Sequence, residues 1–129
     1  MNIKLRVATV ILGITGAGAA FAWQGHSHEQ QGGKAALITG LVVDSACFVG
    51  HDSSGPRHAK CAEACARAGN ALAIYEEATK TLYLPVSLDH KNPNTKLMAF
   101  IEKKVRVSGR VMEKAGLKGI AIEKVEAAR

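Results

Sequence analysis

The last third of the chain constrains the fold most. From Lys104 to Glu113, Val105, Val107 and Val111 alternate with Arg106, Ser108 and Arg110, and Ile120 to Glu126 (IAIEKVE) alternates again. A period of two sends apolar side chains to one face and charged ones to the other, so each segment reads as a strand with one face buried. Gly109 breaks the side-chain pattern and predicts a bulge. Ala115-Gly116-Leu117-Lys118-Gly119 turns the chain between the two strands. Such a pair is not stable alone and needs further strands to cover its apolar face.

Those strands lie upstream. Ala35 to Asp44 (AALITGLVVD) is dense in β-branched and aliphatic residues, and Ala71 to Tyr75 and Thr81 to Pro85 form a hairpin through the polar Glu76 to Lys80 turn. Residues 46–55 (ACFVGHDSSG) read as a loop. Pro56 suits the first turn of a helix running to Ala68, with Gly69-Asn70 as its stop. Asp89 to Asn94 is a second loop, and Thr95 to Glu102 a short helix with Leu97, Met98 and Ile101 facing inward. The order is strand, helix, strand, strand, short helix, strand, strand. With 129 residues, 47% of them hydrophobic, the chain is a single folded domain.

A short helix between the third and fourth of five strands is the arrangement of an OB-type barrel. The closing segment, Lys104 to Met112 and Gly119 to Val125, resembles the last two strands of many bacterial OB-fold domains. The expected fold is a β-rich, five-stranded OB-like barrel with an extra helix after strand 1. An α+β sheet with both helices on one face fits the same periodicity.

The N-terminus supplies an address. Met1 to Arg6 carries Lys4 and Arg6, Val7 to Ala19 is free of charge, and Ala20-Phe21-Ala22 places small residues where a signal peptidase reads. This is the layout of a cleaved secretory signal, since about 13 apolar residues fall short of the roughly 20 needed to span a bilayer. The expected divisions are signal peptide 1–22, flexible Gly- and Gln-rich leader 23–34, and domain 35–129. A cut after Ala22 puts His26 fourth, not third, in the mature chain, which spoils an amino-terminal copper chelate. Losing Lys4 and Arg6 from the 17 basic residues leaves 15 against 11 acidic ones. That mild excess favours solubility, and without a basic-aromatic cluster nucleic acid is not an expected partner.

The chemistry concentrates after strand 1. All three cysteines fall in Cys47-x13-Cys61-x3-Cys65, with His58 three residues before Cys61. At about 100° per residue, His58, Cys61 and Cys65 share one narrow helical stripe. Cys47 is near enough in sequence to fold back over it. Three thiolates and an imidazole make a tetrahedral set for Zn(II) and a soft set for Cu(I). The alternative is a disulfide, usual in an oxidising compartment. A bridge from Cys47 to Cys61 or Cys65 would close a loop of about 15 residues, worth on the order of 3 kcal/mol, and leave one thiol over. Asp44, His51 and Asp52 flank the Cys47 loop and could assist a metal from beyond its first ligands or replace one of them, or else Asp44 ends the strand and Asp52 builds a turn; His90 sits in an exposed loop.

Cys61-Ala-Glu-Ala-Cys65 is similar to the Cys-x-Glu-x-Cys core of the binuclear copper site in cytochrome oxidase subunit II, but Gly69 and Leu72 stand where that family has His and Met. A second resemblance covers most of the mature chain. Gly40-Leu-Val-Val-Asp44-x2-Cys47, then Gly55-x2-His58-x2-Cys61-Ala-x2-Cys65-x3-Gly69, resembles a group of small exported bacterial proteins of unassigned function. The resemblance implies that Cys47, His58, Cys61 and Cys65 act as one constellation on an OB-like body. It carries no activity with it.

Haem attachment and thioredoxin-type exchange need C-x-x-C motifs that this chain lacks, and no Ser-His-Asp elbow or phosphate loop is present. His58 could serve Cys61 as a base, yet no oxyanion site is visible, so catalysis is not the leading reading. Two functions remain: an exported protein binding Zn(II) or Cu(I) on the four residues, or a disulfide-stapled module that binds an exported protein or small ligand without metal.

Overall fold

The computed structural model describes residues 32–128. The expected signal peptide (1–22) and most of the leader lie outside the described residues. The elements are β1 (Lys34–Asp44), α1 (Ser45–His51), a 3-10 turn (Pro56–His58), α2 (Ala59–Arg67), β2 (Leu72–Glu76) and β3 (Thr81–Pro85). Two further 3-10 turns (Pro93–Lys96 and Met98–Phe100), β4 (Lys104–Lys114) and β5 (Leu117–Ala127) complete the chain.

The five strands close into a barrel in the order β1-β2-β3-β5-β4. Neighbours are antiparallel except β3 and β5, which run parallel through Tyr83↔Lys118 and Pro85↔Ile120. This is the OB-like barrel expected, and it excludes the open α+β sheet. β1 closes it by serving two partners: Lys34–Leu41 pair with β4 and Leu41–Asp44 with β2. Gly40 sits where the strand passes from one partner to the other. A Cβ there would stand 2.5 Å from the Tyr75 carbonyl oxygen, so only glycine admits the approach. The register of β4 against β5 shifts between Ser108 and Gly109, which is the bulge the glycine predicted. Ile38, Val42, Leu72, Ile74, Val107 and Ile120 point into the closed core.

Three local expectations change. Residues 46–55 were expected as a loop, but Ser45–His51 is helical. The buried Asp44 carboxylate accepts a 2.7 Å bond from the Cys47 N–H, capping a turn too short to persist alone. Asp52, with φ 51°, ends it in the left-handed region and returns its N–H to the Cys47 carbonyl. The expected helix Pro56–Ala68 divides into a 3-10 turn and α2. Thr95–Glu102 is not an α-helix but part of two 3-10 turns, although Leu97 and Ile101 are buried as expected.

Asn94 explains that last difference. Its buried side chain accepts from the Leu72 N–H (2.9 Å) and donates to the Asn70 carbonyl (2.7 Å), tying the turn to the start of β2. Replacing Asn94 by alanine strands both backbone groups, each at a cost of about 1–3 kcal/mol. Urea denaturation of Asn94→Ala is expected to show a loss of about 2–4 kcal/mol, with Asn94→Asp, which keeps only the acceptor, falling between. An unchanged midpoint for the alanine variant would show the bonds to be dispensable.

Candidate metal centre

The end of β1 and the two helices build the cluster. Asp44 caps α1 and so fixes where Cys47 projects, while α2 docks on the barrel through Ala62 and Ala66, both buried. Those alanines lie one turn apart on a single face. Cys61 and Cys65 each precede one of them, so their stripe is rotated about 100° off the docked face and comes up beside α1. Cys47 and Cys65 are half-buried and Cys61 is exposed.

The Sγ atoms of Cys47, Cys61 and Cys65 all lie within 4.8 Å of one another, and none of the three is in a disulfide. At a Zn–S distance of about 2.3 Å, tetrahedral thiolates stand about 3.8 Å apart, so closing on an ion asks for movements of about 1 Å or less. Side-chain rotation supplies that without moving a helix. The three thiols can therefore hold a metal ion.

The cluster also has an anionic wall. Asp44 is fully buried, and its Oδ2 has no hydrogen-bond partner among the described residues. Burial, the facing Asp44 carboxylate and then Cys65 push the Cys47 thiol up to about 12. Thiol and carboxylate share a site where a second negative charge is unfavourable.

The structure brings together three of the four expected site residues. His58 does not join the group of mutually close ligand atoms. Its Nδ1 is 2.9 Å from Glu102 Oε1, with the His58 and Glu102 side chains 13% and 1% exposed. Glu102 Oε2 accepts a 2.6 Å bond from the Gly55 N–H, and the Glu102 backbone, at φ 55°, donates to the Val42 carbonyl. One buried carboxylate thus ties the loop before α2 to the start of β4. The Glu102 carboxylate suits an Nδ1–H donor, and in the neutral imidazole that tautomer leaves Nε2 as the acceptor.

Glu102 escaped the sequence reading, which placed it at the end of a short helix. It is 44 positions from His58 in sequence and stands beside two lysines, so no local pattern marks it. Asp44 ends a strand, as expected, and is also the helix cap. His51, Asp52 and His90 are exposed. A separate cleft of about 490 Å³ lies between the 85–96 loop and β4–β5, and no cluster residue lines it. Among the described residues, no helix is long and apolar enough to cross a membrane.

No protein-family model matches the chain, nor does any curated protein or solved structure.

Proposed function

We propose that the chain is an exported metal-binding protein that holds Zn(II) or Cu(I) on Cys47, Cys61 and Cys65, with His58 Nε2 as the fourth donor. The observation that carries this reading is the convergence of three unbridged Sγ atoms within 4.8 Å. Thiolates are the soft donors that both ions favour. The fourth donor is supported by the His58–Glu102 bond, because a metal-ligating imidazole normally gives its other N–H to a carboxylate, which fixes ring and tautomer. Export rests on the charged start, apolar run and Ala20-Phe21-Ala22 of the N-terminus. The competing module stapled by a disulfide needs a bridge that Cys47, Cys61 and Cys65 do not form.

Mass spectrometry of the protein isolated from its expressing cell tests the reading directly. The expected result is a chain beginning at Trp23 that carries one zinc or copper under native conditions. On denaturation the metal is lost and every cysteine hydrogen remains. A chain lacking two hydrogens and free of metal would overturn the metal reading in favour of the stapled module.

His58 is tested separately. Alanine there would remove Nε2 but also strip Glu102 of a partner, so the cleaner variant is His58→Asn, whose amide N–H can still reach Glu102 Oε1. Its affinity for Zn(II) is expected to fall at least about tenfold with the fold intact by circular dichroism. Unchanged affinity would remove His58 from the coordination sphere.

A further inference from the structure

We propose that the metal is cargo, passed to a cysteine-bearing partner protein by ligand exchange at Cys61; the proposal rests on the metal-binding function above. Two observations separate this centre from a structural one. First, the core does not need the ion. Ile38, Val42, Leu72, Ile74, Val107 and Ile120 are buried inside a closed barrel, and α2 is fastened by Ala62 and Ala66 on a face about 100° round the helix from the thiols. A metal that holds a fold together replaces a core, whereas this one sits beside a finished core. Second, the three thiol ligands are unequal. Cys47 and Cys65 are half-buried, with the sealed Asp44 carboxylate facing Cys47, while Cys61 is exposed. The ion is gripped from the protein side and reached from the solvent side.

An exposed ligand lets an incoming sulfur bind before the resident one leaves. The partner thiol gives a sulfur lone pair to the metal and its proton to water. The bond from the metal to Cys61 then breaks, and the Cys61 sulfur takes up a proton. The metal keeps its oxidation state, and one metal–sulfur bond replaces another. A second partner cysteine displaces Cys65 in the same way, and water or further partner donors take the places of Cys47 and His58 Nε2; each departing sulfur takes up a proton, and the metal leaves with the partner.

The rim favours such an acceptor. Lys60 precedes Cys61 on α2 and Arg57 stands four residues before it in the 3-10 turn; both are exposed and make no ion pair among the described residues. The nearby acidic residue, Glu63, is already paired with Arg67 at 2.6 Å. Two exposed cations without an ion pair thus stand close to Cys61 in the chain, and they attract a thiolate and any acidic side chains beside it.

The test uses the whole mature protein loaded with Zn(II), loading being confirmed first by native mass. It is then mixed with increasing excesses of a peptide carrying two cysteines separated by two residues. Transfer is expected to accelerate in proportion to peptide concentration and to slow as salt is raised. Ala64→Trp places a bulky ring beside Cys61, one turn further along α2, and replaces no ligand. It is expected to slow transfer at least about tenfold while leaving the equilibrium affinity unchanged. A transfer rate that levels off at the value seen with EDTA, or equal rates for Ala64→Trp and wild type, would overturn exchange at Cys61 and leave metal binding standing. Failure to load Zn(II) would overturn the binding function, and this inference with it.

Discussion

Replacing Cys65 by serine is expected to lower the affinity for Zn(II) or Cu(I) at least about a hundredfold and to leave the barrel folded. Replacing a residue that merely supports a metal ligand already costs about 10–100-fold, and Cys65 supplies a donor atom itself. A serine hydroxyl is hard, holds its proton at neutral pH, and is a poor substitute for a soft thiolate. The fold is spared because Cys65 is only half-buried and is not part of the core; α2 docks through its neighbours Ala62 and Ala66. Competition against a chromophoric chelator measures the affinity, and thermal unfolding of the metal-free protein checks the fold. Wild-type affinity in Cys65→Ser would sink the three-thiolate site, whatever the fate of His58. Substitution of Cys47 belongs to the same test and carries an extra effect, because it removes the thiol that faces the buried Asp44 carboxylate.

The largest loss of stability is expected at Glu102. Its carboxylate is sealed from water and accepts from both His58 Nδ1 (2.9 Å) and the Gly55 N–H (2.6 Å). Glu102→Ala leaves both donors without a partner in an enclosed place and opens a void. Leaving two buried donors without an acceptor costs about 1–3 kcal/mol each, and the void adds to the loss. His58 then loses its orientation, and metal affinity is expected to fall about 10–100-fold as a consequence. Glu102→Gln separates the two effects. It keeps the shape but has a single acceptor oxygen for two donors, so both losses should be present and smaller. Denaturant melts of the metal-free variants, followed by metal titration of each folded protein, make the comparison. If Glu102→Ala melts like wild type, the carboxylate does not hold the loop. If it is destabilised but binds metal normally, His58 is not a ligand and Glu102 is structural alone.

Much of the fold was legible because it is written in local periodicity. Val105 and Val107 alternating with Arg106 and Ser108 announced a half-buried strand, and Gly109 marked the register shift. The cysteine stripe was legible for the same reason, since helical spacing alone places Cys61 and Cys65 side by side. What was misread depends on side chains that act across turns. By local pattern α1 reads as a loop, because seven residues do not sustain a helix unaided; the Asp44 cap, itself buried, makes it persist. Thr95 to Glu102 reads as a helix because Leu97 and Ile101 share a face, yet Asn94 holds the preceding turn to Leu72 and Asn70.

By itself, then, the sequence determined the strands, their buried faces, the bulge, and which residue types stand ready for a metal. Spacing along a chain and the hydrophobic effect are enough to decide those. Only the tertiary structure decided that β3 runs parallel to β5 to close the barrel, that Cys47 meets Cys61 and Cys65, and that Glu102 takes His58. Each joins groups far apart in sequence. Such pairs are chosen by how the whole chain closes around one core, which no window of neighbouring residues contains.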